Sequence, residues 1–141
     1  MIIGFDIHGV LDTHTEQIVK MTKGLRQLGI EIMVITGPEE EQAKAELDRL
    51  GLQLGVHYDS IVSVVDWLQR HLAEGEMWQD EKGHWWCSDE DWWTSKAKIC
   101  SEYDVDTLFD DSEKYLLGWD KTNCKTEFML VHKDGEVERV R

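Results

Sequence analysis

The chain has 141 residues, of which 41% are hydrophobic and 31% are charged, a length and composition typical of one globular domain with one core. Asp and Glu outnumber Lys and Arg by 29 to 15, which gives a net charge of −14. This charge argues against a surface that binds nucleic acid or an anionic membrane. It does not exclude a small anionic substrate, because a bound metal ion can dominate the charge of a site.

No stretch approaches the roughly 18 apolar residues of a membrane-spanning helix. The first residues, MIIGFD, have neither a basic lead nor a cleavage site of small residues, so no secretory signal is predicted. Three cysteines without such a signal indicate reduced thiols. We therefore expect a cytoplasmic protein with a single domain over residues 1–141, and the sequence gives no prediction of its oligomeric state.

The first half of the chain alternates between short apolar runs and amphipathic segments. The predicted elements are a strand over 1–5, a helix over 12–28, a strand over 30–35 and a helix over 39–50. Thr13 or Thr15 is the predicted N-cap of the first helix, which ends at Gly29. The second strand ends at Thr36-Gly37-Pro38, which breaks the apolar pattern.

The second half is less regular. Its predicted elements are a weak strand over 58–65 that overlaps a helix over 64–72, a helix over 94–103, a strand over 105–109 and a strand over 127–132. Ser95 is the predicted N-cap of the helix over 94–103. Residues 74–93 combine five tryptophans with many acids, and the run Asp80-Glu81-Lys82-Gly83 predicts a hairpin turn between two short strands there.

Strands that alternate with helices indicate an α/β fold, with a mostly parallel sheet that binds ligands at the carboxyl ends of its strands. The residues that follow the predicted strands are Asp6 and His8, Thr36 and Gly37, and Asp110 and Asp111. Carboxylates that converge there repel each other unless a cation lies among them, and hard oxygen ligands suit Mg²⁺. We therefore predict a Mg²⁺ site formed by Asp6 and Asp110, with Asp111 behind them.

Such a site favours phosphoryl chemistry. A carboxylate beside Mg²⁺ is a competent nucleophile toward phosphorus, through an aspartyl-phosphate. The hydroxyl of Thr36 and the amide of Gly37 are predicted to bind the non-bridging phosphoryl oxygens. Phosphoryl transfer also needs a cation near the developing charge, for which Lys96 and Lys98 are the candidates.

These residues lie in four motifs, FDIHGVLD over 5–12, MVITG over 33–37, SKAKIC over 95–100 and TLFDDS over 107–112. Their residue types and order resemble the haloacid dehalogenase (HAD) superfamily, and the resemblance covers residues 1 to about 115. It implies a HAD-type, Rossmann-like three-layer fold in which Asp6 is the nucleophile. It also implies that Asp6, Asp110 and the backbone carbonyl of His8 hold Mg²⁺, and that Thr36 and Lys96 bind the phosphoryl group.

The activity that this resemblance implies is Mg²⁺-dependent hydrolysis of a small phosphomonoester. Residues 85–115 look most like small phage and bacterial members of the superfamily, some of them described as nucleotidase-like, so nucleotides are among the candidate substrates. The family's general acid is an Asp two residues after the nucleophile, whereas this chain has His8. An imidazole is a capable acid and base near neutral pH.

Three interpretations of His8 remain open. His8 replaces the family's acid, or the site transfers the phosphoryl group to an acceptor other than water. In the third interpretation the protein binds Mg²⁺ and a phosphorylated ligand with little or no catalysis.

Residues 74–93 also allow two interpretations. They lie between the second and third motifs, where the resemblance implies a substrate-selecting insertion, and they form either a minimal cap or a hairpin packed on the core. Their acids disfavour polyanions, which favours a small substrate.

A weaker alternative for the function is a zinc-supported binding module of His84, Cys87, Cys100 and Cys124, although their spacing matches no paired-cysteine framework. Asp12 is predicted to be a turn or cap residue.

Overall fold

Eight strands and five helices make up the fold, and the computed structural model describes all 141 residues. The strands are β1 (Ile2–Phe5), β2 (Glu31–Thr36), β3 (Ser60–Ser63), β4 (Trp78–Gln79), β5 (Trp85–Trp86), β6 (Thr107–Asp110), β7 (Glu127–Val131) and β8 (Val137–Arg139). The helices are α1 (Thr15–Gln27), α2 (Glu40–Arg49), α3 (Val64–His71), α4 (Asp89–Glu102) and α5 (Leu116–Lys121).

Six of the strands form a central sheet in the order β3-β2-β1-β6-β7-β8. All neighbours in it are parallel except β8, which runs antiparallel to β7. The prediction of a mostly parallel α/β sheet is therefore confirmed. The chain moves outward from β1 to β3 on one side and from β6 to β8 on the other, so the strand order reverses between β1 and β6. In open α/β sheets, ligands bind in the crevice at such a reversal.

The sheet separates two hydrophobic cores. Along β2, Ile32 and Val34 join the core beneath α1 and α2, whereas Met33 and Ile35 join the core that includes α3, α4 and α5. This alternation follows from the two-residue period of a strand. The fold therefore has three layers, with helices on both faces of the sheet.

The predicted helix starts were wrong in two places. The N-cap of α1 is His14, which makes no capping hydrogen bond, while the hydroxyl of the predicted cap Thr15 donates to the backbone carbonyl of Leu11. The helix predicted over 94–103 begins earlier, at Asp89, because the side chain of Ser88 accepts a hydrogen bond from the backbone amide of Asp91. The acidic residues of this first turn also stabilise a start at Asp89. The predicted cap Ser95 is instead buried inside the helix.

Helix α5 was missing from the sequence prediction. It has only six residues, with a glycine in its middle that weakens the helical pattern. Gly118 is needed there because a Cβ atom at this position would lie 2.6 Å from Cβ of Ala97 on α4. No helix in the structure is both long and apolar enough to cross a bilayer.

Strands β4 and β5 form the predicted hairpin, with Trp78 opposite Trp86. The carboxylate of Asp80 closes the turn, because it accepts hydrogen bonds from the amides of Lys82 and His84 and from the indole of Trp86. Trp78 and Trp86 are each 53% exposed, so this pair of rings lies on the surface. Trp92 and Trp93 belong to α4.

Candidate functional site

Three carboxylates meet at the reversal of strand order. Asp6 directly follows β1, Asp110 is the last residue of β6, and the two strands are neighbours in the sheet. Asp6 and Asp110 are buried, whereas Asp111 is exposed, and each offers a carboxylate oxygen within 4.8 Å of those of the other two. The structure therefore brings together the three acids that the sequence predicts at this edge.

The side chain of Lys96 reaches this cluster from α4 and is completely buried. Its Nζ atom lies 2.5 Å from Oδ2 of Asp110 and 3.3 Å from Oδ2 of Asp6. Burial alone would lower the pKa of Lys96, but the negative charges of Asp110 and Asp6 outweigh burial and raise the pKa above its ordinary value. Of the two candidate lysines, Lys96 thus lies in the cluster as a cation, whereas Lys98 is exposed on the same helix.

The electrostatics of the cluster are unbalanced, since one lysine faces three carboxylates. Burial raises the pKa of Asp110 above its usual value, with the ammonium of Lys96 acting in the opposite direction. Partial burial, and then the charge of Asp6, raise the pKa of Asp111. Backbone amides hold two of the carboxylates in place, since Ile7 donates to Asp6 Oδ1 at 2.8 Å and Ser112 donates to Asp110 Oδ1 at 2.9 Å. The excess negative charge fits a divalent cation with oxygen ligands.

Thr36 is the last residue of β2, the strand next to β1, and it is fully buried. Its hydroxyl has no hydrogen-bond partner in the protein, which is rare for a buried polar group. This hydroxyl lies beside the carboxyl end of β1 with its hydrogen-bonding capacity unused. Gly37 follows it, and a Cβ atom there would lie 3.2 Å from the ring of Trp92, so α4 packs closely on this loop.

The loop after β1 is shaped by Gly9. This residue has φ of +77°, and a Cβ atom there would lie only 2.1 Å from Oδ2 of Asp111. Both the backbone conformation and the contact with Asp111 therefore require glycine.

His8 lies in the same loop, and its imidazole is 62% exposed, with Nδ1 3.2 Å from Oδ2 of Asp12. Asp12 also accepts hydrogen bonds from the amide of Gly9 at 2.8 Å and from the hydroxyl of Thr13 at 2.9 Å. Asp12 therefore holds the turn, as the sequence indicates. It also orients His8, which the sequence analysis did not predict, although the spacing of four residues within one turn was the available signal.

Tyr115 is a second residue that the sequence analysis missed. Its ring centroid lies 4.4 Å from Nζ of Lys96, which makes a cation–π contact. The ring of Trp93 packs edge-on against Tyr115, with the centroids 4.8 Å apart. No pattern in the sequence pointed to this contact, because Tyr115 lies in a short helical turn that the periodicity does not reveal.

The residues of the zinc alternative are not brought together. The acidic cluster is the one group of three or more potential ligands whose ligand atoms lie close to each other. The cysteines Cys87, Cys100 and Cys124 are free thiols, and Cys100 is buried. The structure therefore gives no support to a zinc module at His84.

Comparison of the chain with protein-family models gives no match, and comparison with curated proteins gives none. Among solved structures, the chain is similar to a glycosyltransferase from Rickettsia africae ESF-5, with a TM-score of 0.50 and 14% identity over 94% of this chain and 29% of that one. The chain thus spans less than a third of that protein's length. MT0777 aligns with a TM-score of 0.41 and 11% identity, over 92% of this chain and 83% of that one. At such identities the likeness to the glycosyltransferase concerns the α/β fold alone.

Proposed function

We propose that this chain is a HAD-type hydrolase that cleaves a small phosphomonoester with the help of Mg²⁺. The observation that carries the proposal is the convergence of Asp6, Asp110, Asp111 and Lys96 at one crevice, beside the unpaired buried hydroxyl of Thr36. The order of the four motifs along the chain supports the same assignment. Nucleotides are among the candidate substrates.

The donor set fits Mg²⁺. Asp6, Asp110 and Asp111 would hold the ion through carboxylate oxygens, together with the backbone carbonyl of His8. A single ammonium group leaves three carboxylates undercompensated, and a divalent cation removes that repulsion. When bound, Mg²⁺ supplies positive charge to the phosphoryl oxygens.

Asp6 is the proposed nucleophile. The hydrogen bond from the amide of Ile7 to Oδ1 fixes the plane of its carboxylate, which leaves Oδ2 facing the cluster. An Asp6 oxygen attacks phosphorus, and the phosphorus–oxygen bond to the leaving alcohol breaks as the aspartyl-phosphate forms. Water then attacks the same phosphorus, releasing inorganic phosphate and restoring the Asp6 carboxylate.

Lys96 and Thr36 bind the transferring group. The buried ammonium of Lys96 offers donors and a full positive charge in a site screened from water. The hydroxyl of Thr36 donates to a non-bridging oxygen, which satisfies its own unpaired hydrogen-bonding capacity. The amide of Gly37 is the third proposed donor.

His8 supplies the proton that the leaving oxygen takes up and later accepts a proton from the attacking water. Its exposed imidazole and its contact with Asp12 suit this exchange, since Asp12 orients one ring nitrogen and the other is free. The replacement of the family's Asp by His8 also favours two alternatives, transfer to an acceptor other than water and ligand binding without turnover. These alternatives use the same site.

The test is hydrolysis of a panel of small phosphomonoesters, nucleotides included, with and without Mg²⁺, beside the variant Asp6→Asn. We expect Mg²⁺-dependent release of phosphate that is lost in Asp6→Asn. A folded protein that binds Mg²⁺ but hydrolyses nothing would overturn the hydrolase assignment. In that case, a phosphoryl group that stays covalently bound to Asp6 would favour the transferase. The absence of any such aspartyl-phosphate would favour the binding protein.

A further inference from the structure

A groove of about 680 Å³ lies directly beside the acidic cluster. Gly9 and Asp111 line this groove, and so do the end of β7 and the turn that follows it. The groove is therefore continuous with the proposed site. Its volume falls in the range of small-molecule pockets.

The charges of this groove differ from those of the molecule as a whole. Lys114, His132 and Lys133 line it, together with the acids Asp111 and Glu113, in a chain whose net charge is −14. Once a cation compensates Asp111, basic side chains outnumber acidic ones in the groove.

Neither lysine of the groove is neutralised by a carboxylate. Lys114 and Lys133 form no ion pair with a carboxylate, whereas more than half of the other lysine and arginine side chains do. Lys114 instead lies 5.2 Å from the ring centroid of Trp93, and Nε2 of His132 lies 3.4 Å from a carboxylate oxygen of Glu138. Unpaired ammonium groups beside a crevice are suited to bind phosphate oxygens.

We propose that this groove binds the leaving group of the substrate and that the leaving group carries a second phosphate. The inference rests on the proposed phosphomonoester hydrolysis and names its substrate class as small bisphosphates. One phosphoryl group lies at Asp6, and the other lies between Lys114 and Lys133. The acids of the hairpin do not line this groove, so they do not oppose the second phosphate there.

The experiment compares alkanediol bisphosphates of increasing chain length with the matching alkyl monophosphates. We expect a higher kcat/KM for the bisphosphate at the chain length that spans the groove. In Lys133→Gln the ratio of the two kcat/KM values falls about threefold to fivefold, the size of a partly exposed charge interaction. In the double variant Lys114→Gln/Lys133→Gln the ratio falls to about one.

Lys98→Gln is the matched control, because Lys98 is an exposed lysine that does not line the groove, and it keeps the wild-type ratio. Raised ionic strength lowers the wild-type ratio. Equal kcat/KM for both ester series in the wild type, or an equal loss in Lys98→Gln, overturns the proposal.

Failure of the hydrolase assignment gives a different result. If the wild type hydrolyses neither series, the same compounds serve as ligands in calorimetric titrations with Mg²⁺ present. Tighter binding of a bisphosphate that is lost in Lys133→Gln supports the groove even without turnover. Equal binding of both series overturns it.

Discussion

The ammonium group of Lys96 lies 2.5 Å from Oδ2 of Asp110, and both side chains are completely buried. Transfer of two charges from water into a protein interior is costly, and their mutual attraction only partly offsets this penalty. The pair therefore contributes little net stability. It holds a cationic donor against a buried carboxylate at the crevice between β1 and β6, and removal of either partner leaves an uncompensated charge.

Lys96→Met is expected to lower the free energy of unfolding by about 3–5 kcal/mol at neutral pH without metal. The lost ammonium leaves Asp6 and Asp110 facing each other without compensation. Lys98→Met is the control, because Lys98 is exposed on the same helix, and its effect should stay within about 0.5 kcal/mol. Urea denaturation of the three proteins provides the measurement. Similar stabilities of the two variants would show that the ammonium of Lys96 does not compensate the buried charges of Asp6 and Asp110.

Gly9→Ala should weaken Mg²⁺ binding more than its loss of stability alone would explain. The backbone at Gly9 has φ of +77°, and the new methyl group would lie 2.1 Å from Asp111 Oδ2, so the carboxylate must move. Gly55→Ala is the control for backbone strain, since Gly55 has φ of +80° and no atom near its Cβ position. Gly55→Ala should lose about 1–2 kcal/mol of stability from backbone strain, and Gly9→Ala at least as much. Only Gly9→Ala should reduce the Mg²⁺ affinity in calorimetric titration, and an equal reduction in both would contradict the role of Asp111.

Tyr115 should stabilise Lys96 through its ring and not through its hydroxyl. Tyr115→Phe keeps the ring that lies 4.4 Å from Nζ of Lys96, whereas Tyr115→Leu removes it. A double-mutant cycle between Tyr115→Leu and Lys96→Met should give a coupling energy of about 1–2 kcal/mol, as for a desolvated cation–π contact. The same cycle with Tyr115→Phe should give a coupling energy near zero. Equal coupling in both cycles would attribute the interaction to the hydroxyl.

The core of the sheet could be predicted from the sequence, because β1, β2 and β6 are short apolar runs that end in polar residues. Their order and the parallel arrangement followed from the intervening helices, and this located Asp6, Thr36 and Asp110 at one edge. The start of α4 was less predictable. Ser88 and Ser95 are both acceptable caps in isolation, and the burial of Ser95 within α4 decides between them.

Side-chain partners across the site could not be predicted in the same way. The contact of Tyr115 with Lys96 depends on how α4 and the turn before α5 pack, and the α5 segment has no strong helical pattern. The pair of His8 and Asp12 depends on the left-handed conformation of Gly9 between them. A local pattern fixes the element in which a residue lies, whereas these contacts depend on tertiary packing.

The ion pair between Asp59 and Arg26 should make stability depend on pH. The hydrogen bonds from the Arg26 guanidinium, above all, lower the pKa of Asp59, and the amide of Ile32 adds a further donor. A lowered carboxyl pKa stabilises the fold above the unfolded value of about 3.9, and this contribution is lost as the pH falls through the lower folded value.

Asp59→Asn should therefore cost about 1 kcal/mol at pH 7, since both side chains are partly exposed. The difference from wild type should shrink as the pH falls below about 4. Asp48→Asn removes an exposed pair with Lys44 and should cost less at pH 7. Denaturation measured between neutral and acidic pH checks this, and a pH-independent difference would contradict it.

His8 should determine the alkaline side of the pH–rate profile if phosphomonoester hydrolysis is the reaction. A general acid must carry the proton that it donates to the leaving oxygen, so turnover should decline on the alkaline side, where that acid is deprotonated. His8→Ala should lower kcat about 100-fold and abolish that decline. Asp12→Asn keeps the imidazole but weakens its contact at Nδ1, so kcat should fall by a smaller factor while the alkaline decline remains. His8→Asp restores a carboxyl acid and should retain activity. An unchanged pH profile in His8→Ala would exclude His8 as the proton donor.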